Sequence, residues 1–177
     1  MESELKRARL VGSGVPGRRF SPYKELPRLV DVLERVYHNK MLNIQCDIMP
    51  DLEFSADRND MLELFGNLLD NACKWSTSQV LCKVYSDNAL IIQRDDDSIG
   101  CDEQQLSTLT QRGVRADETT AGTGFGLVWF GLVWFGLVWF GLAIVKEIVE
   151  LYLGDIKFSR SKLGGLSVRI NLPYSHQ

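Results

Sequence analysis

The sequence is poor in histidine and has no paired cysteines. Its 177 residues hold two histidines, His38 and His176, and four cysteines, Cys46, Cys73, Cys82 and Cys101. The cysteines lie 27, 9 and 19 apart with no C-x-x-C, so the ligand spacing of a zinc site is missing. They read as free thiols in a reducing compartment. Positive charge is not in excess either. A net charge of -3 excludes the broad basic surface that nucleic acid or an anionic membrane selects, although a phosphate ligand needs only a local site. The opening MESELKRARL is charged and lacks the apolar stretch of a signal peptide. What remains is an ordinary globular composition, 45% hydrophobic and 24% charged, in a chain long enough for one domain with a real core.

Residues 1–22 are basic and then rich in glycine and proline, and they read as a tether or as the end of an upstream element. From Leu26, the residues Leu29, Val30, Leu33, Val36 and Tyr37 recur at helical spacing, with Pro27 near the start where it is tolerated. Ile44, Cys46 and Ile48 alternate with polar residues, as in a half-buried strand. Asp57 is placed to cap a second helix running to about Lys74, with Met61, Leu62, Phe65, Leu68, Leu69 and Ala72 as its core face. Val80, Cys82 and Val84 then alternate, Asp87-Asn88 forms a turn, and Ala89 to Gln93 returns as the hairpin partner. Residues 95–125 are polar and aperiodic, a long loop of the kind that is usually functional. Ala143 to Tyr152 reads as a third helix, and Asp155 to Arg160 with Ser167 to Leu172 as a hairpin joined through Gly164-Gly165. The pattern predicts an α+β fold, a two-layer sandwich with three helices on one face of a mixed, mainly antiparallel sheet.

Glu63, Asn67 and Asn71 follow one another at i, i+4 and i+8 on the second helix and so line one face. A row of oxygen ligands suits Mg²⁺, which takes few protein ligands and completes its shell with water and phosphate oxygens. A solvated polar face is the plain alternative, and the helix by itself leaves both open. Two glycine turns add weight to the first, DDDSIG (95–100) and GTGFGL (122–127). Such turns bring backbone N–H groups close to phosphate oxygens. Arg112 and Arg115 lie between them as charge-assisted donors. No β-α-β unit with a following acidic residue surrounds the glycines, so this is not a dinucleotide fingerprint.

ELFGNLLDNACKW (63–75) resembles the N box of histidine-kinase catalytic domains, the Bergerat-fold ATPases related to gyrase, Hsp90 and MutL. VYHNKMLNIQCDIMPDLEFSADRNDMLELFGNLLDNACKW and LGGLSVRINLP are similar to the PhoQ-type branch. The resemblance runs over roughly residues 23–173 apart from the repeat described below. It implies an ATP-binding catalytic domain over 23–177, preceded at 1–22 by a linker or the tail of a missing dimerisation hairpin. It also implies roles. Asn67 and Asn71 hold Mg²⁺ and the phosphates, with Glu63 in support. Lys74 reaches phosphate, and Trp75 stacks near adenine. Asp96 accepts from the adenine amino group, with Gly100 closing the same box. Arg112 and Arg115 meet phosphates, and Gly122, Gly124, Gly126 and Leu127 form the lid hinge beside the triphosphate. The implied partners are a dimerisation domain carrying the phosphoacceptor histidine and a response regulator, with no nucleic acid. The implied setting is the cytoplasmic side of a bacterial inner-membrane sensor kinase.

Three departures qualify that picture. The family's D-x-G-x-G reads Asp96-Asp97-Ser98-Ile99-Gly100 here, with a serine at the middle glycine; if the position demands a left-handed backbone or a close backbone approach, Ser98 costs about 1 kcal/mol or more. His38 lacks the context of a phosphoacceptor and reads as a helix-end residue. Phe-Gly-Leu-Val-Trp occurs three times in succession from Phe125 and runs into Phe140-Gly141-Leu142. Five residues turn a helix by about 500°, which spreads the apolar groups over every face, and recurrent glycine argues against a membrane helix. Without Val128 to Leu142 the sequence becomes GTGFGLAIVKEIVELYLGD, a continuous glycine box and helix. Residues 128–142 therefore read as an insertion. Either it loops out, or a later Phe-Gly-Leu copy takes the place of the first. A degenerate nucleotide-binding module and a water-activating ATPase of the same fold are the alternatives to phosphotransfer.

Overall fold

The computed structural model describes residues 18–98 and 141–174. The elements built from them are α1 (Pro22–Val36), β1 (Asn43–Ile48), α2 (Arg58–Trp75), β2 (Gln79–Ser86), β3 (Ala89–Asp96), α3 (residues 141–151), β4 (Asp155–Arg160) and β5 (Leu166–Pro173). A short 3₁₀ turn, His38–Lys40, follows α1. The strands form one sheet in the order β1-β2-β3-β5-β4. β1 and β2 are parallel, joined by the α2 crossover, and the other neighbours are antiparallel. The helices share one buried core with the sheet. This is the expected α+β sandwich.

α1 starts earlier than the periodicity suggests, at Pro22 after Ser21. Pro27 consequently sits inside the helix, where it cannot donate to the Tyr23 carbonyl one turn back. Packed structure reaches still further upstream. Phe20, within the stretch read as a tether, is 1% exposed. Its N–H donates to the Phe54 carbonyl (2.7 Å) and its carbonyl accepts from the Phe54 N–H (2.9 Å). Its ring stacks on Phe65 at 5.9 Å.

α2 is capped as expected, with the Asp57 carboxylate accepting from the Asp60 N–H at 3.1 Å. Met61, Phe65, Leu68, Leu69 and Ala72 are wholly buried, but so is Leu64, while Leu62 is only partly covered. At 100° per residue, Leu64 and Leu62 flank the apolar stripe on opposite sides, each about 80° from its centre. The same geometry corrects the polar row. An i+4 step turns about 40°, so Glu63, Asn67 and Asn71 do not share one solvent face but spiral toward the core. Glu63 is exposed, Asn67 intermediate and Asn71 buried.

β3 continues three residues past the expected Gln93. Because strand side chains alternate, Leu90, Ile92, Arg94 and Asp96 then share one face. α3 is described from Gly141 rather than Ala143. It ends in a Schellman arrangement, Gly154 N–H to Val149 carbonyl and Leu153 N–H to Glu150 carbonyl. Leu153 holds the left-handed position, φ 60°, where glycine is the usual choice.

Candidate functional site

Three segments meet at the end of β3: the middle of α2, the first described turn of α3 and the β4–β5 turn. Asp96 is at the junction and is 2% exposed. Its Oδ1 accepts from the backbone N–H groups of Ser98 (2.9 Å) and Leu166 (3.0 Å). Its Oδ2 accepts from Arg94 Nη2 at 2.6 Å. The Gly164-Gly165 turn predicted from sequence forms the wall here. The Gly165 N–H donates to the Asp96 carbonyl (3.2 Å), and a Cβ on Gly165 would stand 2.3 Å from Asp96 Oδ1. Only glycine allows this approach. Ser98 is not strained: among the described residues the non-glycine positive-φ positions are Met41, Asn88 and Leu153. A left-handed backbone is therefore not required at the serine, whose N–H caps the carboxylate.

The flanking aspartates have other employment. Asp97 turns away and accepts from the backbone N–H groups of Thr77 (2.9 Å), Ser78 (3.1 Å) and Gln79 (3.2 Å), and from Ser78 Oγ (2.6 Å). Burial pushes the Asp97 carboxyl up, but these hydrogen bonds outweigh it and hold the group below its ordinary value. Asp95 accepts from Gln93 Nε2 at 3.3 Å. One aspartate of three therefore faces the site.

Arg94 has no exposure at all. Besides Asp96, its guanidinium donates to the Leu68 carbonyl (3.2 Å), Asn71 Oδ1 (3.4 Å) and the Leu166 carbonyl (3.4 Å). Its Nε has no acceptor. One buried cation thus touches both the residue expected to read adenine and the second asparagine of the N box. Expectations from the sequence overlooked Arg94 as well as the structural use of Asp97.

Further along α2, Asn67 donates from Nδ2 to the Glu63 carbonyl (2.8 Å), and Glu63 points to solvent. Lys74 is exposed and Trp75 half-buried near the helix end. That end is pinned by Lys40, whose Nζ donates to the carbonyls of Cys73 (2.8 Å) and Lys74 (2.8 Å), a cation placed at the negative pole of the helix. Burial moves the Lys40 ammonium below its ordinary value. His38 sits on the 3₁₀ turn with Nδ1 3.2 Å from the Arg35 carbonyl, a helix-end residue as expected. Among the described residues no group of three His, Cys, Asp or Glu side chains could hold a metal ion.

α3 reaches the site through Gly141. A Cβ there would stand 3.0 Å from Asn71 Nδ2, and Leu142 is completely buried. This Gly-Leu pair, from the fourth Phe-Gly-Leu copy, directly precedes Ala143, where removal of 128–142 would place Gly126-Leu127. The fourth copy therefore lies in the described part of α3, next to Ala143. Gly100, Arg112, Arg115, Gly122, Gly124, Gly126 and Leu127 lie outside the described residues, as does all of the expected insertion before Gly141.

With the geometry in place, likeness to known proteins becomes informative. Residues 56–176 match the family described as histidine kinase-, DNA gyrase B- and HSP90-like ATPase. The chain is 38% identical over 171 residues to the sensor protein kinase CarS of Pseudomonas aeruginosa, covering 96% of this chain and 35% of that protein. It is 35% identical over 175 residues to the virulence sensor histidine kinase PhoQ of Salmonella typhimurium, covering 97% and 33%. The chain thus spans about a third of the length of these relatives. The crystal structure of the ATP-binding domain of PrrB from Mycobacterium tuberculosis shares the fold at a TM-score of 0.63 and 20% identity, covering 90% of this chain and 98% of that one. The chain belongs to the histidine kinase-, DNA gyrase B- and HSP90-like ATPase family, as an ATP-binding catalytic domain of the sensor-histidine-kinase branch.

Proposed function

We propose that the domain binds Mg-ATP between α2, the end of β3 and the start of α3, and donates the γ-phosphoryl group to a histidine on a separate dimerisation domain. The observation that carries this is the Asp96 cradle. A buried carboxylate is fixed by two backbone N–H groups and a guanidinium, beside a buried asparagine of the N box. The residues present fit the nucleotide. Asp96 would accept from the base, and Trp75 would stack near it. Asn67 and Asn71 would serve the metal end, with Glu63 in support and Lys74 free to reach phosphate. Asn67 fits a metal ion well, because its Nδ2 is committed to the Glu63 carbonyl and its Oδ1 is left for a ligand. Bound Mg²⁺ would supply charge neutralisation at the phosphates; the chain's own part is positioning and charge. Arg112, Arg115, Gly100, Gly122, Gly124, Gly126 and Leu127 belong to the proposal through the family resemblance, with Gly141-Leu142 next to Ala143 on α3.

In the full system the partners would be the dimerisation domain and a response regulator, on the cytoplasmic side of an inner-membrane sensor. Among the described residues no helix is long and apolar enough to cross a membrane. The insertion at 128–142, within an otherwise continuous 23–177 domain, is part of the same proposal. A second reading is a nucleotide-binding module without phosphotransfer.

Calorimetry with a non-hydrolysable ATP analogue and Mg²⁺ tests the first step, and micromolar to millimolar binding is expected. Adding the histidine-bearing hairpin in trans and following labelled phosphate tests the second. Binding without transfer selects the module; absence of binding removes both.

A further inference from the structure

Two strands of this fold carry a cysteine where alternation asks for an aliphatic side chain. Ile44, Cys46 and Ile48 alternate on β1, and Val80, Cys82 and Val84 on β2. The strands are parallel, and their register sets Cys46 directly beside Cys82. Both side chains pack against the core that the sheet shares with the helices, so the two thiols project from the same face. Neighbouring strands run about 4.8 Å apart, inside the roughly 4.4–6.8 Å between Cα atoms that a disulfide spans. Both residues are free thiols.

The two differ in access. Cys82 is 2% exposed, whereas Cys46 is half-buried. Cys46 lines a groove of about 550 Å³ between α1 and β1, with Tyr23, Pro27, Val30 and Asp31 on the helix side and Ile48 beside it. A hydrogen bond from the Cys82 thiol lowers the Cys46 thiol below its ordinary value, against burial and the Glu34 carboxylate. The same contact, with burial, raises Cys82, although Arg94 is its partner in the β2–β3 register. Cys46 therefore ionises first and is the nucleophile of the pair. Cys73 on α2 is wholly buried, and burial above all pushes it up to about 12. The carboxylates of Asp31 and Glu34 disfavour an anionic reagent such as oxidised glutathione. A small neutral oxidant meets no such barrier.

We propose that Cys46 and Cys82 form an oxidation site, which a small hydroperoxide entering the α1–β1 groove closes to a disulfide that clamps β1 to β2 across the α2 crossover. With hydrogen peroxide, the Cys46 thiolate attacks one oxygen. The S–O bond forms as the O–O bond breaks, and the hydroxide released takes up a proton and leaves as water. The Cys82 sulfur then attacks the sulfenic sulfur. The S–S bond forms, the S–O bond breaks, and the Cys82 thiol proton leaves with the hydroxyl as water. The two thiols lose two electrons, and the peroxide gains them. The bond closes a loop from Cys46 to Cys82 that contains all of α2, the helix carrying Asn67 and Asn71. Side chains abreast on parallel strands stand wider than the about 3.8 Å between the Cβ atoms of a relaxed disulfide, so the link is strained and thiol reductants reopen it.

The test treats the whole chain with hydrogen peroxide, alkylates it in urea and maps the peptides by mass spectrometry without reduction. A peptide joining Cys46 to Cys82 is expected, lost again with dithiothreitol, while Cys73 stays alkylated. In Cys82→Ala, dimedone should trap Cys46 as its sulfenic acid; in Cys46→Ala, Cys82 should form no cross-link. Before oxidation, Cys46 in the folded chain should react with iodoacetamide at least about 10-fold faster than Cys73 or Cys82. Equal rates, or a main product linking Cys46 to Cys73 or Cys101, would overturn the pairing. The wild-type map decides this even where a variant fails to fold. The cross-linked chain should melt about 5 °C above the reduced one, because the unfolded loop is constrained, and Cys46→Ala should lose that shift. An unchanged or lowered midpoint in the cross-linked chain would overturn the clamp on α2.

Discussion

The two ends of the candidate site are built on opposite principles. At the end proposed to take the base, Asp96 and Arg94 are buried against Asn71, and each carboxylate oxygen of Asp96 already has protein donors. At the end proposed to take the metal, Glu63 is exposed and Asn67 makes one local hydrogen bond along its own helix. The base end is therefore part of the fold's stability, and the metal end is decoration on a helix that would form without it. The difference teaches where mutation should separate folding from binding.

The largest effect is expected at the ion pair. Arg94→Met leaves a buried carboxylate without its counter-ion and should cost about 3–5 kcal/mol in urea unfolding, whereas replacing both partners with apolar residues should cost far less. If the single substitution is nearly neutral, the base end is not a structural element and the comparison collapses. Gly165→Ala comes next. Its Cβ would stand 2.3 Å from Asp96 Oδ1 and from the Ser98 nitrogen, so about 1–3 kcal/mol should be lost as the turn shifts, and analogue affinity should fall with it.

Asp97 sharpens the boundary of the base end. Its carboxyl is held below the ordinary 3.8, so the ionised form stabilises the fold at neutral pH, and that contribution is lost as pH falls below about 4 toward the folded value. Asp97→Ala should cost about 1 kcal/mol at pH 7. Its stability should also fall less steeply than wild type in acid, as measured by melts from pH 7 down to pH 3. A parallel acid profile for variant and wild type would contradict this account. The smallest effect is expected at the metal end: Asn67→Ala should change stability by no more than about 0.5 kcal/mol. A large loss there would erase the contrast between the two ends.

The same contrast explains what was legible in the sequence. Elements announced themselves through periodicity and capping, from Asp57 at the start of α2 to the Gly164-Gly165 turn. The polar row on α2 was visible as a spacing, but its 40° drift per step, which buries Asn71 and exposes Glu63, decides the chemistry and was missed. Arg94 was missed because β3 seemed to end at Gln93. Extending the alternation from Leu90 and Ile92 would have put a charge on a core position, a conflict that itself signals function. The use of the Leu166 N–H and of Gly165 could not be read, since these contacts join residues 70 apart in the chain. Cys46 and Cys82 sit opposite each other in the β1–β2 register as free thiols, in keeping with the thiol reading.

Phe20 sets where this domain can be cut. A chain shortened to begin at Tyr23 would strip the stacked ring from Phe65 and both bridge hydrogen bonds from Phe54. It would also remove Arg18, whose Nη1 donates at 3.0 Å to Asp57, the cap of α2. Soluble fragments for crystallisation or screening should therefore keep Arg18, because the helix that carries both asparagines is closed off by residues upstream of the first helix.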